Sequence, residues 1–440
     1  MKIGFISLGC PKNQVDCEVM LKKVADAGYE LVAEDIEADI IIVNTCAFIE
    51  SAKQEAIDNI LDVAWLKENR DLKGIIVTGC LAQRYRDEIF TELPEVDAVV
   101  GCGGIHDIVE AVKAVENKVK YSSYPDMADL DLGGERVVTT PTHYAYLKIA
   151  EGCDNRCTYC AIPDIRGSFR SRAMQDIIAE AKELEALGAK ELILVAQDTT
   201  RYGMDINESV TLSTLIRGIT DNTERARIRL LYCYPDKITD ELVREIAEND
   251  RVIKYVDMPI QHISDKVLKR MNRRGGSAVI KDAVKRLREG VPGIVIRTTV
   301  ITGFPGESEE DFMELCEYIA QARFDRLGVF PYSREEDTPA YDFDDQIDED
   351  IKHERAETVM HNQSNIALEL CEEKIGQVLR VVCEGYDPVG DCYFGRSDAD
   401  APEIDGKVYF LAPKGMINEG DEVDIKITDV IDYDLIGEKQ

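Results

Sequence analysis

The sequence contains no long hydrophobic run. No stretch of about 18 consecutive apolar residues occurs along the chain, so no membrane-spanning helix is predicted. The amino terminus, Met1–Cys10, superficially resembles a short lipoprotein signal, but Gly4 and Ser7 interrupt its apolar segment. We interpret this segment as a first β-strand and predict a cytoplasmic protein that does not engage a membrane.

Positive charge is scarce. The chain has 52 Lys and Arg residues against 85 Asp and Glu residues, which gives a formal net charge of −33. Proteins bind the phosphate backbone of nucleic acids mainly through lysine and arginine, so direct nucleic-acid binding is not favoured. A strongly acidic surface attracts a basic partner and steers its approach. Acidity that serves only solubility or a saline cytoplasm is the open alternative.

Cysteine is abundant, although a disulfide scaffold is not expected. Thirteen cysteines in a large cytoplasmic chain indicate metal or redox chemistry. Cys153, Cys157 and Cys160 form the pattern C-x-x-x-C-x-x-C. A 4Fe–4S cluster normally takes four cysteine ligands, so three cysteines leave one iron open. This spacing is typical of sites whose open iron chelates the amino and carboxylate groups of S-adenosylmethionine.

Zinc is the alternative occupant of this loop. A zinc site would use a C-x-x-C pair together with two further ligands. No second C-x-x-C and no C-x-x-H follows at zinc spacing. We therefore predict a cluster that cleaves S-adenosylmethionine to a radical.

Residues 1–125 alternate short apolar runs with helical patterns, which predicts an open parallel α/β domain. Three predicted strands end on Cys10, Cys46 and Cys80. Because the carboxyl ends of parallel strands share one edge of a sheet, we expect these thiols to converge there. They predict a second iron–sulfur site, again one ligand short. The alternative is that they are buried small hydrophobic side chains. Cys102 also follows a strand but is left out of the ligand set.

Residues 141–350 follow a predicted linker over 122–140 and repeat strand–helix units. Six predicted strands, with amphipathic helices between most of them, indicate a partial (β/α)6 barrel. Active sites of such barrels lie at the carboxyl ends of the strands. The three-cysteine loop follows the first of these strands, at that end.

Several residues near the strand ends are candidate contacts for S-adenosylmethionine. Backbone groups before the second strand could bind its methionine end, and polar side chains after that strand could bind the ribose. An arginine on the fifth strand could face the carboxylate, and glycines after it allow close approach of the adenine. The predicted set comprises Tyr159, Glu191, Gln197, Asp198, Arg297, Gly303 and Gly306.

The C-terminal part is predicted as a connecting helix over 351–373 and a small antiparallel β-barrel over 374–440. Small barrels of this kind often bind RNA through basic and aromatic residues. Acidic residues far outnumber basic ones from Glu372 onward, so this barrel suits a basic protein surface better than RNA.

These features together resemble the methylthiotransferase family of radical S-adenosylmethionine enzymes. The resemblance covers nearly the whole chain and implies a radical domain between an N-terminal three-cysteine domain and a C-terminal TRAM domain. It is most specific to members that modify ribosomal protein S-twelve, and it is carried by the stretches 145–153, 159–167, 257–262 and 329–334.

The resemblance implies two 4Fe–4S clusters. Cys153, Cys157 and Cys160 match the ligands of the radical-generating cluster, and Cys10, Cys46 and Cys80 match those of an auxiliary cluster. S-adenosylmethionine is then both methyl donor and radical source. The product is a methylthio group on the β-carbon of an aspartate of the ribosomal protein. The implied partners are that protein, or the small subunit, and a reducing protein of the flavodoxin or ferredoxin type.

Two other functions stay open at this point. One is a tRNA methylthiotransferase that acts on a modified adenosine next to the anticodon, which the acidic C-terminal barrel disfavours. The other is an iron–sulfur electron-transfer or scaffold protein, which would hold clusters without cleaving S-adenosylmethionine.

Overall fold

The N-terminal part forms one six-stranded sheet. The computed structural model describes residues 1–33 and 35–440. All neighbouring strands of this sheet are parallel, in the order β2-β1-β3-β4-β5-β6. Its strands are β1 (Lys2–Ser7), β2 (Glu30–Val32), β3 (Ile40–Thr45), β4 (Gly74–Gly79), β5 (Ala98–Gly101) and β6 (Tyr121–Ser123). Its helices are α1 (Pro11–Asp26), α2 (Glu50–Asn69), α3 (Cys80–Tyr85), α4 (Ile89–Glu92) and α5 (Ile108–Glu116).

The predicted open parallel α/β sheet is confirmed. The central strands β3 and β4 are buried along their whole length, since each is a continuous apolar run covered by helices on both faces. The short edge strands β2 and β6 were not predicted, because three half-exposed residues carry no clear hydrophobic pattern. Strand β6 also takes up the first residues of the segment that was predicted as a linker.

The strand order places a crevice at the cysteine edge of this sheet. The chain leaves β1 through α1 toward β2 on one side and later returns to β3 on the other. In open α/β sheets, ligands bind outside the carboxyl ends of the strands at the point where the order reverses. Here that point lies between β1 and β3, the strands that precede Cys10 and Cys46.

The central part forms a second parallel sheet of six strands in consecutive order, which confirms the partial barrel. Its strands are β7 (Tyr144–Lys148), β10 (Glu191–Val195), β11 (Arg227–Leu230), β12 (Val252–Asp257), β13 (Val295–Thr302) and β14 (Arg326–Pro331). A two-stranded ribbon lies beside the first strand and consists of β8 (Ala150–Glu151) and β9 (Arg170–Ser171). The helices are α6 (Ile162–Arg166), α7 (Met174–Ala186), α8 (Leu212–Asn222), α9 (Asp240–Glu248), α10 (Asp265–Arg270), α11 (Gly276–Gly290) and α12 (Glu309–Ala322).

A long helix, α13 (Glu349–Glu372), leads to a closed five-stranded barrel. The barrel strands are β15 (Val378–Asp387), β16 (Cys392–Ser397), β17 (Val408–Leu411), β18 (Glu422–Ile431) and β19 (Asp434–Lys439). The prediction of a wholly antiparallel barrel is wrong in one place, because β17 and β19 pair in parallel to close it. In the described residues, no helix is both long and apolar enough to cross a membrane.

The C-terminal barrel covers the amino ends of the central strands. Glu191, the first residue of β10, forms buried ion pairs with Arg229 of β11 and with Arg396 of β16, each at 2.5 Å. Asp400 and Asp405 of the C-terminal barrel reach Arg326 of β14 and the Tyr255 hydroxyl of β12. Four acidic groups of this barrel, Glu384, Asp398, Asp400 and Asp405, are therefore engaged within the protein.

The N-terminal domain covers the opposite, carboxyl ends of the central strands. Lys148, at the end of β7, forms a buried ion pair with Asp16 of α1. Glu335, just after β14, binds Arg84 at 3.0 Å and Lys53 at 3.2 Å. The carboxyl edges of the two parallel sheets therefore face each other.

We predict that Arg396→Met destabilises the protein by about 3 kcal/mol. The substitution leaves the Glu191 carboxylate and the Arg229 guanidinium buried with an incomplete ion triad, and broken buried ion pairs cost about 3–5 kcal/mol. Calorimetric unfolding of the two proteins measures the difference. Arg380→Met is the matched control in the same barrel, because Arg380 is exposed and forms only long ion pairs at 3.8 and 3.9 Å. An equal effect of both substitutions would contradict the prediction.

Candidate functional site

The structure places the three N-terminal cysteines at one sheet edge. Cys10 follows β1 and is the N-cap of α1, and Cys46 directly follows β3. Cys80 follows β4 as the first residue of α3. We call these residues the N-terminal cysteine trio. None of them is in a disulfide.

Two glycines allow the turns of this trio to pack together. Gly9 has φ +93°, and a Cβ there would lie 2.8 Å from the Cys46 Cβ. Gly79 has φ +90°, and a Cβ there would lie 2.5 Å from the Thr45 carbonyl oxygen. Only glycine fits such contacts in this backbone conformation. Each glycine directly precedes a cysteine of the trio, so the close approach places the thiols beside one another.

The pKa values of the Cys46 and Cys80 thiols are shifted in opposite directions. Burial, together with the neighbouring thiols of Cys80 and Cys10, raises the pKa of Cys46 to about 12. A hydrogen bond with Cys102 and the guanidinium of Arg166 lower the pKa of Cys80, despite its burial. A thiolate is the form that binds metal. The hydrogen bond to Cys80 places Cys102, which is not in the predicted ligand set, directly beside the trio.

The second set of cysteines lies in the loop over 149–160, which we call the cysteine loop. The loop is fixed by backbone hydrogen bonds from Cys153 N to Gly167 O and from Thr158 N to Met271 O, at 3.0 and 3.1 Å. Burial raises the pKa of Cys153 to about 11 and raises that of Cys160 further. Metal binding would have to displace these thiol protons.

A buried cation lies beside the cysteine loop. The Arg273 guanidinium stacks on the Tyr234 ring at 3.9 Å and lies 4.0 Å from the Cys157 sulfur. Arg273 also donates to the carbonyl of Pro259. A fixed positive charge next to a thiolate stabilises its negative charge. This position suits an anionic iron–thiolate site.

Arg166 connects the two sets of cysteines. It ends α6, six residues after Cys160, and its Nη2 lies 3.3 Å from the Cys80 sulfur. The same guanidinium binds Asp16 at 2.5 Å and Glu151 at 3.3 Å. Glu151 lies two residues before Cys153, so a single side chain contacts both edges. Sequence analysis did not find this role, since the contact joins separate domains.

Lys148 completes a buried charge cluster. It forms ion pairs with Asp16 and, at 3.0 Å, with Glu151. Burial raises the pKa of Glu151, but the charges of Lys148 and Arg166 outweigh it and lower the value to about 2. We call Asp16, Lys148, Glu151 and Arg166 the buried charge cluster. Its two cations balance its two anions.

Three of the predicted S-adenosylmethionine contacts lie next to the cysteine loop. Gln197 donates to Glu151, and its Oε1 is buried without a partner among the described residues. Asp198 accepts from Asn155 of the loop at 2.8 Å, and burial raises its pKa. Tyr159 lies within the loop and packs edge-on against Phe304.

Two predicted contacts lie elsewhere. Glu191 lies at the amino end of its strand, where it pairs with arginines as described above. Arg297 binds Asp257 at 3.0 Å and approaches Asp405 of the C-terminal barrel at 3.7 Å. Both side chains are engaged in ion pairs. Glu191 lies at the opposite end of the barrel, whereas Arg297 binds the Asp257 carboxylate that also holds Tyr232 under Lys12.

Gly303 and Gly306 lie beside Phe304, but they are glycines for a reason that the sequence did not reveal. A Cβ at Gly303 (φ +69°) would lie 2.2 Å from the Lys352 Cγ of α13. A Cβ at Gly306 (φ +77°) would lie 2.5 Å from the Asp345 carboxylate. Close packing against α13 at Gly303, and against the segment that leads into it at Gly306, therefore explains both positions.

Lys12 and Tyr232 also lie between the two cysteine sets, and sequence analysis missed both. The Lys12 ammonium lies 3.2 Å from the centre of the Tyr232 ring. Burial lowers the pKa of Lys12, whose nearest charged groups include Cys10 and Glu151. The position of Lys12, two residues after the predicted ligand Cys10, is the sequence feature that could have marked it as a site residue.

The side chains around the two cysteine sets are the groups available to an iron–sulfur cluster and a polar ligand. Two clusters of three free cysteines face each other, with a cation beside each set. Buried amide oxygens of Gln197 and Gln261 have no partner in the described parts of the chain. Within residues 1–33 and 35–440, no three His, Cys, Asp or Glu side chains are grouped for a single metal ion. The residues fit iron–sulfur groups and a polar ligand.

Comparison with known families divides the chain in the same order. Residues 2–101 match "Uncharacterized protein family UPF0004", residues 147–319 match the "Radical SAM superfamily", and residues 375–439 match the "TRAM domain". The radical S-adenosylmethionine match contains the cysteine loop and implies a 4Fe–4S cluster and S-adenosylmethionine.

Solved structures show the same fold at low identity. The radical S-adenosylmethionine methyltransferase TsrM from Kitasatospora setae, with cobalamin and a [4Fe-4S] cluster bound, aligns with a TM-score of 0.58 and 15% identity. The alignment covers 86% of this chain and 78% of that one.

Curated relatives are similar along the whole chain. "Ribosomal protein uS12 methylthiotransferase RimO" of Acetivibrio thermocellus is 49% identical, with 99% of this chain and 98% of the relative covered. The protein of the same name from Geobacter sulfurreducens is also 49% identical, over 99% of this chain and 98% of its own length. The protein therefore belongs to the RimO family of radical S-adenosylmethionine methylthiotransferases.

Proposed function

We propose that this protein adds a methylthio group to the β-carbon of an aspartate in ribosomal protein uS12. S-adenosylmethionine is both the methyl donor and the source of the radical. Cys153, Cys157 and Cys160 hold the radical-generating 4Fe–4S cluster. The N-terminal cysteine trio holds an auxiliary 4Fe–4S cluster.

The observation that carries this proposal is the face-to-face arrangement of the two cysteine sets. Replacing an unactivated C–H bond by a C–S bond needs a radical, because no acidic proton is available to a general base. The sulfur must be held close to the carbon that reacts. Arg166 contacts Cys80 of one set and Glu151 beside the other, so the two cysteine sets border one space, which supports the proposal.

When bound, a 4Fe–4S cluster with one open iron supplies the electron that cleaves S-adenosylmethionine to a 5′-deoxyadenosyl radical. The protein's own residues hold the geometry and exclude water. The two domains close over the space through buried ion pairs, including those of Lys148 with Asp16 and Arg84 with Glu335. A closed, dry site protects reactive intermediates from side reactions.

The proposed partners are basic uS12 and a small reducing protein of the flavodoxin or ferredoxin type. The net charge of −33 supports attraction of a basic substrate over an RNA substrate. The C-terminal barrel contributes less to this attraction than its composition indicates, since Asp400 and Asp405 pair with groups of the central domain. The acidic residues that remain exposed form the surface that is available to a basic partner.

We predict that uS12 from cells without this gene lacks the modification. The methylthio group replaces one hydrogen and adds about 46 Da, which intact-protein mass spectrometry resolves. Returning the gene restores the increment, and a copy with Cys157→Ala does not. If uS12 keeps its mass and tRNA loses a methylthio group instead, the proposed substrate is wrong.

We predict that Cys46→Ala separates radical formation from sulfur insertion. The cysteine loop is unchanged, so the reduced protein still forms 5′-deoxyadenosine. Methylthiolation falls by at least about 100-fold, and bound iron falls from about eight to about four atoms per chain, because one four-iron site is lost. Liquid chromatography of the nucleoside and an iron assay measure the two effects.

Cys17→Ala is the control for this variant. Cys17 is a buried cysteine of the same domain, but it lies in α1 and outside the trio. We expect it to retain its iron and both reactions. Methylthiolation by Cys46→Ala at the rate of Cys17→Ala would refute the assignment of the auxiliary site.

We predict that Arg166→Met lowers the free energy of unfolding by about 3 kcal/mol, because it leaves the Asp16 and Glu151 carboxylates with a single buried cation. It also lowers methylthiolation at least about tenfold by releasing the Cys80 thiol. Calorimetry and the methylthiolation assay measure these effects. Arg156→Met, an exposed position in the cysteine loop, is the matched control and should change stability by less than about 0.5 kcal/mol. Equal stability of the two variants would contradict the linking role of Arg166.

A further inference from the structure

Lys12 is a buried lysine whose ammonium has no ion-pair partner among the described residues. Lys12 is 7% exposed and lies at the start of α1, two residues after Cys10. Within the described ranges, no oxygen accepts a hydrogen bond from its ammonium and no carboxylate lies within ion-pair distance. The contact that the structure gives it is the face of the Tyr232 ring, 3.2 Å from the ammonium to the ring centre.

The carboxylates nearest to Lys12 are bound to other groups. Glu151 accepts from Lys148 and Arg166 through Oε2, and from the amide of Gln197 through Oε1. Asp257 accepts from Arg297 through Oδ1 and from the backbone N–H of Tyr232 through Oδ2. Every oxygen of the two acids accepts from another donor, and neither acid forms an ion pair with Lys12.

Tyr232 is held in an unusual conformation beneath this ammonium. Its φ is +60°, a left-handed conformation that an aromatic residue seldom adopts. Its backbone N–H donates to Asp257 at 3.1 Å, and its carbonyl accepts from the Thr199 N–H at 3.0 Å. Strained residues that are held this firmly cluster at binding and catalytic sites. This conformation places the ring under Lys12.

An ammonium buried without a partner is costly for the folded protein. Such a charge is retained where a ligand of opposite charge completes it. Lys12 follows Cys10 at the carboxyl edge of the N-terminal sheet, and its ammonium packs on Tyr232, which follows β11 at the carboxyl edge of the central sheet. An anionic ligand that reaches Lys12 therefore lies beside both sets.

We propose that Lys12 binds the side-chain carboxylate of the substrate aspartate and selects this acid over a neutral residue. This inference rests on the proposed function. The carboxylate carbon is bonded directly to the β-carbon that receives the methylthio group, so an ion pair with Lys12 fixes the reacting carbon between the two cysteine sets. The Tyr232 ring supports the ammonium from the opposite side by a cation–π contact.

Peptide binding to the iron-loaded protein tests this inference. The probes are a synthetic uS12 peptide with the target aspartate and the same peptide with asparagine at that position. We expect the wild-type chain to bind the aspartate peptide at least about tenfold more tightly, as measured by fluorescence anisotropy, because hydrogen bonds to charged groups are strong. In Lys12→Met this preference disappears: the aspartate peptide binds at least about tenfold more weakly, and the asparagine peptide changes less than about twofold.

Lys120→Met is the matched control. Lys120 belongs to the same domain and also lies over an aromatic ring, that of Phe90 at 4.8 Å, but it is exposed and distant from the cysteines. We expect it to bind both peptides as the wild type does. Lys12→Arg keeps the positive charge and should keep at least about a threefold preference for the aspartate peptide. If Lys12→Met does not bind iron, this variant tests the role of Lys12.

Equal weakening of both peptides in Lys12→Met would overturn the inference and assign Lys12 to the cysteine edge itself. Unchanged binding of both peptides would overturn it as well, and so would a Lys12→Arg variant without preference. Methylthiolation of the aspartate peptide by the wild-type chain is a separate readout. Its absence would refute the proposed function, whereas its presence without a role for Lys12 would refute only this inference.

Discussion

The contact on which the two-domain site depends is the buried ion cluster of Arg166, Lys148, Asp16 and Glu151. Removing four charges from water is favourable only if each finds its partners, and here two cations meet two anions with additional hydrogen bonds. Asp16 belongs to the N-terminal domain and the other three to the central domain. The cluster therefore has its balance of charge only when the two sheets meet edge to edge. The same Arg166 contacts the Cys80 sulfur, so docking of the central domain adds a contact to the trio that the N-terminal sheet has formed.

The central barrel is covered at both ends by different kinds of partner. Its carboxyl ends face the N-terminal sheet, with cysteines, Lys12 and Tyr232 between them. Its amino ends are closed by acidic residues of the C-terminal barrel that pair with arginines. The proposed chemistry lies at one end and the structural closure at the other, as expected for a (β/α) barrel. Part of the acidity of the C-terminal barrel is therefore structural and does not serve partner binding.

Much of this arrangement could be predicted from local sequence patterns. The end of a strand can be predicted where an apolar run stops. Because the predicted sheet is parallel, Cys10, Cys46 and Cys80 at three such ends are expected at one edge. Contacts between domains could not be predicted in this way. Glu191 and Arg297 are predicted as ligand contacts from their places near strand ends. In the structure, Arg396 and Asp405 of the C-terminal barrel approach them, and local sequence does not show these partners. Lys12 could not be singled out from sequence, because its burial without an ion pair among the described residues is visible only in three dimensions.

The two cysteine sets also differ in how far apart their members lie along the chain. Cys153, Cys157 and Cys160 belong to a single loop, whereas Cys10, Cys46 and Cys80 come from three strand ends that meet only after the sheet has formed. Loop closure over a few residues is fast, and pairing of distant parallel strands is slow. The cysteines of the loop are therefore brought together locally, whereas those of the trio meet only once β1, β3 and β4 have paired. The proposed auxiliary centre thus requires a complete N-terminal sheet before it can bind iron.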